Sequence, residues 1–184
     1  MDHYQDIRVL PDPEFSEPML MAALFAKLHR ALASYAQGNI GVSFPDMQRT
    51  PGAVLRLHGS GKALMELQES GWLKGLRDYT GVDPIQTVPA GAQYRTVSRV
   101  QVKSSAERLR RRSVNKGWLT EEQAREKIPM TSEQRSSLAF IALKSLSSGQ
   151  SFRLFLKQGA LRKTPVEGKF SFYGLSPSAT VPWF

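Results

Sequence analysis

Apolar side chains in the first half of the chain alternate between helical and strand spacing, and this order limits the fold more than any other feature. From Met21 to Tyr35 they recur every three or four residues, which predicts a helix over residues 18–37. A second helix is predicted within residues 61–76. Strands are predicted over residues 3–10, 40–44, 54–58 and 85–88. The resulting order, β-α-β-β-α-β, is that of a split βαβ, ferredoxin-like fold.

A segment rich in proline and glycine, VPAGAQ at residues 88–93, separates the two halves of the chain. We expect a ferredoxin-like domain over residues 1–92 and a divergent α+β domain over residues 93–184. In the second domain, strands are predicted over residues 94–103, 138–146, 151–157 and 169–173. Two helices are predicted between the first two of these strands. One is a basic helix that ends at Gly117, and the other is a short helix that opens with a capping box of Thr120 and Gln123. The predicted fold class is α+β.

Positive charge is concentrated in the second half. Residues 1–90 hold 8 Lys and Arg against 10 Asp and Glu, net −2, whereas residues 91–184 hold 17 against 6, net +11. Such asymmetry predicts a polyanionic partner. A membrane surface would require an apolar helix face beside the charges, but residues 105–117 offer only Leu109 and Val114. Nucleic acid is therefore the favoured partner.

Other classes of protein are disfavoured by what the sequence lacks. There is no cysteine, which excludes disulfides and thiolate metal sites and indicates a reducing cytoplasm. The polar N-terminus does not resemble a signal peptide, and no apolar run approaches the ~18 residues of a membrane span. His3, His29 and His58 lack the spacing of metal ligands. We expect no metal, no cofactor and no membrane contact.

The segment from Ser98 to Trp118 carries the strongest nucleic-acid signal. Arg99 and Gln101 share one face of the predicted strand, and their side chains can pair bidentately with guanine and adenine. An exposed edge strand would explain the valines on the other face, but not this choice of polar residues.

In the basic helix that follows, spacings of i, i+3, i+4 and i+7 place several polar residues on one face. They are Arg108, Arg111, Arg112 and Asn115, with Arg110 and Lys116 widening the face. Only Glu107 can pair with them locally, so the cations would repel one another without an anion. A short RNA hairpin fits as the target, because the narrow A-form major groove opens near helix ends and loops. A DNA-reading helix is the alternative, although no helix-turn-helix pattern surrounds it.

Motifs spread over the whole chain resemble those of a known family. They are MDHY and DIR at the start, LFAKLHRAL around His29, IGVSFPD, VSRVQVKSSAERLRRR, SGQSFRLF, and YGLS with VPWF at the end. On these motifs the chain resembles the type I-F CRISPR-associated repeat endoribonucleases. The resemblance implies a metal-independent enzyme that cuts CRISPR precursor RNA at the base of the repeat stem-loop by attack of a 2′-OH, leaving a 2′,3′-cyclic phosphate. It also implies that the protein stays bound to the 3′ hairpin of the mature crRNA, beside other type I-F effector proteins, chiefly the backbone subunit.

The resemblance further implies roles for individual residues. His29 matches the general base, Ser145 is expected to hold the nucleophilic 2′-OH, and Tyr173 is expected to orient the histidine. RNA contacts are implied for Arg99, Gln101, Arg108, Arg110, Arg111, Arg112, Asn115, Lys116, Ser147 and Phe152. Arg99 and Gln101 match residues that read bases near the foot of the stem. Phe152 matches the residue that stacks on the terminal base pair.

Other interpretations remain open from the residues alone. His29 also fits a half-buried histidine at the edge of an apolar helix stripe, Ser145 an ordinary turn, and Tyr173 a core tyrosine. Asn115 and Lys116 replace arginines of a well-known family member, so contact with the hairpin should be weaker at the C-terminal end of the helix. At the level of function, the alternatives are a non-catalytic subunit that binds an RNA hairpin and a DNA-binding regulator.

Overall fold

The computed structural model describes residues 1–35, 37–101, 106–128, 137–145 and 149–184, excepting the side chains of residues 106–108. The chain forms two compact units, one of Met1–Val100 with Leu138–Phe184 and the other of Gln101–Ser137. Helices and antiparallel strands are both present, so the predicted α+β class is confirmed. The ferredoxin-like assignment and the division into domains 1–92 and 93–184 stay predictions.

The main sheet of the larger unit is built around β1 (His3–Val9), which pairs with three other strands. Alternate side chains of β1, those of Gln5, Ile7 and Val9, are buried. Its other strands are β2 (Gly41–Ser43), β3 (Val54–Gly59), β4 (Thr80–Val82) and β5 (Gln86–Thr87). The strand order is β2-β3-β1-β4, with β5 also paired to β1, and all these pairings are antiparallel.

The edge of this sheet was only partly predicted. The strand expected over residues 85–88 is represented by β5, but β4 precedes it and pairs with the other end of β1. Between them, the Asp83 N–H donates to the Asp6 carbonyl oxygen at 2.9 Å. Pro84 follows and has no N–H to donate, so the edge is split into two short strands.

Helix α1 (Glu17–Tyr35) packs on the main sheet through the apolar stripe that the sequence predicts. The buried side chains are Leu20, Met21, Leu24, Phe25, Leu28, Ala31 and Leu32. Helix α2 (Gly61–Glu69) lies within the span where the sequence predicts a helix, and the hydroxyl of its N-cap residue Ser60 accepts from the Ala63 N–H. It ends at Ser70, and Gly71 then has a φ of +66°. Glycine adopts this angle readily, so the chain leaves the helix there.

A three-stranded antiparallel sheet forms a second layer of the larger unit. It has the order β7 (Val97–Val100), β9 (Ser151–Gln158), β8 (Phe140–Lys144), and α1 packs against β8. The prediction of a single strand over residues 94–103 is wrong. The segment divides at Thr96 into β6 (Gln93–Arg95), which pairs with β10 (Val181–Trp183), and β7, which pairs with β9. Residues 102 and 103 lie outside the described residues.

The strand expected over residues 169–173 is absent from the described structure. Phe170 is buried, and its N–H donates to the Gly38 carbonyl oxygen at 3.1 Å. Ser171 then begins a tight turn that the Gly174 N–H closes on the Ser171 carbonyl oxygen at 2.8 Å. The alternating apolar residues of this segment therefore belong to a packed loop, which pairs with no strand among the described residues.

The smaller unit contains α3 (Ala106–Asn115) and α4 (Glu121–Lys127), which pack on each other. Thr120 and Gln123 form the predicted capping box, since each side chain bonds the backbone N–H of the other. Among the residues that the structure describes, no helix is long and apolar enough to span a bilayer.

Candidate functional site

His29 lies near the C-terminal end of α1, and two contacts fix its ring. The Nδ1 atom is 3.0 Å from the carbonyl oxygen of Phe172. The ring also stacks on that of Tyr173, with centroids 4.0 Å apart and planes 7° apart. A carbonyl oxygen can only accept, so Nδ1 carries the hydrogen. In the neutral ring, the lone pair is therefore on Nε2.

The turn from Ser171 to Gly174 delivers both of these contacts. The Ser171 hydroxyl oxygen lies 3.3 Å and 3.4 Å from the backbone nitrogens of Tyr173 and Leu175, which donate to it. Gly174 has a φ of +68°, and a Cβ there would lie 2.6 Å from a methyl carbon of Val42. The turn therefore requires glycine at this position and is pressed against β2. Its packing sets where Tyr173 and the Phe172 carbonyl lie.

Ser145 and Phe152 come from the sheet that packs against α1. Ser145 directly follows β8, and its N–H donates to the Gln150 carbonyl oxygen at 2.9 Å. Phe152 is the second residue of β9, pairs with Leu143 and is half-buried. Ser147 lies outside the described residues.

These segments meet around a cavity of about 350 Å³ in the larger unit. Its lining residues are Ala26, His29, Arg30, Leu143, Lys144, Ser145, Phe152 and Tyr173. The structure thus brings together all three residues expected to be catalytic, along with Phe152. They come from positions 29, 145, 152 and 173, so the cavity depends on the tertiary fold.

Two cations that the sequence interpretation missed line the same cavity. Arg30 directly follows His29, and Lys144 directly precedes Ser145, and both are exposed. Adjacency in sequence to the two expected catalytic residues was the available signal. Side chains of this kind can neutralise a phosphate at the mouth of the cavity.

The residues expected to bind RNA are distributed over both units. In the larger unit, the Arg99 guanidinium carbon lies 5.8 Å from the centroid of the Phe152 ring. Arg99 is exposed at the end of β7. Gln101 is also exposed, and it belongs to the smaller unit.

The arginines of α3 divide into two groups. Arg111, Arg112, Asn115 and Lys116 are exposed, whereas Arg110 is half-buried. The Nε–H of Arg110 donates to the Ile128 carbonyl oxygen at 2.8 Å, and its Nη2 donates to the Arg125 carbonyl oxygen at 3.4 Å. Arg110 thus caps the end of α4 and links the two helices. The side chain of Arg108 lies outside the described residues.

His58 is the completely buried histidine of the chain, and it does not line this cavity. It is completely buried in β3, with Nε2 2.8 Å from the Ser43 hydroxyl oxygen. Burial, reinforced by the positive charges of Arg56 and the N-terminus, lowers its pKa from 6.5 to about 3. His58 is therefore neutral at physiological pH and acts as a core residue.

Together, the fold and the site define an α+β protein with a histidine-centred cavity and a separate arginine-rich helix. The chain belongs to the Cas_Csy4 family of CRISPR-associated proteins, whose model matches residues 4–184. It is 62% identical over 184 residues to the CRISPR-associated endonuclease Cas6/Csy4 of Escherichia coli (strain UTI89 / UPEC), covering 100% of both chains. It is 49% identical over 187 residues to the protein of that name from Pseudomonas aeruginosa (strain UCBPP-PA14), again covering 100% of both.

Proposed function

We propose that this protein is an endoribonuclease that cuts CRISPR precursor RNA at the foot of the repeat stem-loop without a metal ion. The observation that carries this proposal is the fixed ring of His29 in a cavity that Ser145, Phe152 and Tyr173 also line. The full-length relatives that are named CRISPR-associated endonucleases support it.

The proposed reaction starts with the neutral form of His29. Its Nε2 takes the proton of the 2′-OH, and the 2′-oxygen attacks the adjacent phosphorus. The bond from phosphorus to the 5′-oxygen breaks, the leaving oxygen takes a proton from solvent, and a 2′,3′-cyclic phosphate remains. A positioned base of this kind contributes roughly 10²–10⁴-fold to the rate. Ser145 holds the 2′-OH, and Tyr173 and the Phe172 carbonyl keep the ring in place.

The phosphate gains negative charge as the 2′-oxygen attacks it. Arg30 and Lys144 line the cavity and supply positive charge there. Positive groups already in place stabilise such a transition state without needing to reorganise. The cavity therefore provides both a base and charge stabilisation from protein side chains.

RNA affinity comes mainly from side chains other than His29, Ser145 and Tyr173. Phe152 stacks on the terminal base pair of the stem, and Arg99 and Gln101 read bases near its foot. The face formed by Arg108, Arg111 and Arg112 enters the groove of the hairpin, and Ser147 contacts the ribose or phosphate. Asn115 and Lys116 complete this face more weakly than arginines would, because neither can form a bidentate pair with phosphate.

After cleavage, the 3′ hairpin of the mature crRNA remains bound to the protein. We propose that this complex joins other type I-F effector proteins, chiefly the backbone subunit, and that it acts in the cytoplasm. No step of this proposal requires a cofactor.

The proposal is tested by incubating a repeat stem-loop RNA with the protein in excess EDTA. A second RNA carries a single 2′-deoxy nucleotide at the scissile position. We expect the normal RNA to be cut to a 2′,3′-cyclic phosphate and the deoxy RNA to be bound but intact. Binding of both RNAs without cleavage of either, in EDTA and in Mg²⁺ alike, would instead identify a non-catalytic hairpin-binding subunit, and cleavage in Mg²⁺ alone would contradict the metal-independent reaction. Cleavage of the deoxy RNA would exclude attack by the 2′-OH.

A further inference from the structure

Trp118 is an unusually exposed tryptophan at the end of the arginine-rich helix. Its side chain is 63% exposed, whereas tryptophan is on average a highly buried residue. It lies just beyond α3, in the smaller unit. The proposed function gives this side chain no role.

The backbone at Trp118 is held by hydrogen bonds to the end of α3. The Trp118 N–H donates to the Ser113 carbonyl oxygen, and the Gly117 N–H donates to that of Val114, both at 2.9 Å. Gly117 has a φ of +68°. This pair of bonds with a left-handed glycine is a Schellman motif, which terminates the helix and fixes where the next residue lies.

An apolar residue after such a glycine frequently packs back on the last turn of the helix, against the residue whose carbonyl it bonds or the residue before that one. Here these residues are Ser113, which is small and polar, and Arg112, which is exposed, and the indole ring stays largely in solvent. The stability of the helix end therefore does not explain the choice of tryptophan.

A cation lies over the ring. The Lys116 ammonium nitrogen lies 5.0 Å from the Trp118 ring centroid. Arg111 and Arg112 are exposed on the preceding turn of α3. A flat aromatic surface beside positive charges matches an unpaired nucleotide, whose base stacks on the ring while its phosphate meets the cations.

We propose that Trp118 stacks on an unpaired base in the loop of the RNA hairpin. Bases within the stem are already stacked on both faces, and Phe152 is assigned to the pair at the stem's foot. The nucleotides at the foot of the stem are assigned to the cavity and to Arg99 and Gln101, so an unpaired loop base is the element left for the exposed ring. This inference rests on the proposed function, because it takes the same hairpin as its ligand.

The test combines a variant of the protein with a variant of the RNA. The probe is a repeat stem-loop RNA, used intact and with each loop nucleotide in turn made abasic. Trp118→Ala should weaken binding of the intact hairpin roughly five- to 150-fold. Removing one particular loop base should weaken binding to the unaltered protein by a similar factor. When the Trp118→Ala variant is tested with that abasic RNA, the two losses of binding free energy should not add. Trp118→Phe should retain part of the discrimination between intact and abasic loops.

Leu161→Ala is a matched control, because Leu161 is also an exposed apolar residue, 46% accessible, in the larger unit. This variant should discriminate between intact and abasic loops as the unaltered protein does. Additive losses, or equal loss on every RNA, would overturn the proposal for Trp118 and would fit contact with a protein partner or a purely structural role.

Cleavage of the same RNAs by the unaltered protein separates this inference from the proposed function. If the hairpin is cut but no loop base couples to Trp118, only the inference fails. If a loop base couples to Trp118 but no RNA is cut, the binding site stands and the proposed enzyme activity fails. If no hairpin is bound, both fail together.

Discussion

The two units of this protein present their functional side chains by contrasting means. In the larger unit, His29, Ser145 and Tyr173 come from a helix, the end of a strand and a tight turn, and they meet around one cavity. In the smaller unit, the exposed cations Arg111, Arg112 and Lys116 lie within six consecutive residues of one helix and its end. The cavity depends on how distant segments pack, whereas the basic surface depends only on helical spacing.

This contrast explains why the two regions should respond differently to substitution. A change in the cavity acts on a geometry fixed by several contacts, so it should alter the chemical step strongly. A change on the exposed face of α3 removes one charge among several in solvent. It should weaken binding by a modest and salt-dependent amount.

The largest effect is expected from His29→Ala. The variant loses the proposed base, so the single-turnover cleavage rate should fall by roughly 10²–10⁴-fold or more. The dissociation constant for the hairpin should change little, because the proposed RNA contacts are made by side chains other than His29. His3→Ala is the control, since His3 lies on β1 and does not line the cavity. Loss of binding in step with cleavage would mean that His29 is structural.

The next effect concerns stability at low pH. The pKa of buried His58 is about 3 in the folded state against 6.5 when exposed, so below pH 6.5 the unfolded chain binds a proton that the folded chain excludes. As the pH is lowered from 6.5 to 3, the free energy of unfolding should therefore fall by up to about 1.4 kcal/mol per pH unit. His58→Gln should remove this contribution when unfolding is measured by denaturant titration.

Ser43→Ala is the matched control for this measurement. It removes the 2.8 Å contact to His58 but leaves the ring buried, and burial is the main cause of the lowered pKa. This variant should keep the pH dependence while losing some stability at every pH. If His58→Gln showed the same slope as the unaltered protein, the acid sensitivity would have another origin.

Arginines of α3 provide a comparison within one helix. Arg111→Ala and Arg112→Ala should each weaken hairpin binding and lower the salt slope by about one unit, because both side chains are exposed. Arg110→Ala should instead lower the free energy of unfolding by about 1 kcal/mol, because it removes the bonds to the carbonyl oxygens of Ile128 and Arg125. Equal salt slopes for all three variants would contradict this division.

The smallest effect is expected at Tyr173. Its ring stacks on His29, an interaction worth about 0.5–1.5 kcal/mol, so Tyr173→Leu should slow cleavage about two- to tenfold. Tyr173→Phe keeps the stacked ring and should cleave at nearly the original rate. A large loss in the phenylalanine variant would show that the hydroxyl, rather than the ring, is required.

The sequence was sufficient for elements with a strong local pattern. Residue spacing correctly predicted the apolar face of α1 and the strands β1 and β3, and the capping residues correctly predicted the start of α4. It failed where long-range pairing decides the structure. The segment Lys169–Tyr173 alternates like a strand but forms a packed loop, and the edge of the main sheet is divided before Pro84.

The candidate site shows the same limit. Helical spacing alone identified the exposed arginines of α3, but not that Arg110 caps α4, because this depends on where Ile128 folds. His29, Ser145 and Tyr173 were grouped through a family resemblance, since no local pattern links such distant positions. Neither residue spacing nor the family resemblance predicted the contact of the Phe172 carbonyl with His29, because every residue has a carbonyl and only the turn brings this one to the ring.

The central claim is that neutral His29 keeps its lone pair on Nε2, where it can take a proton from RNA. The most direct test is nitrogen-15 NMR of the histidine ring in the intact protein, at a pH where the ring is neutral, with His29→Ala used to assign the signals. The account predicts a protonated Nδ1, bonded to the Phe172 carbonyl, and an unprotonated Nε2. A hydrogen on Nε2 would contradict it, because the ring would then have no base to offer at that atom.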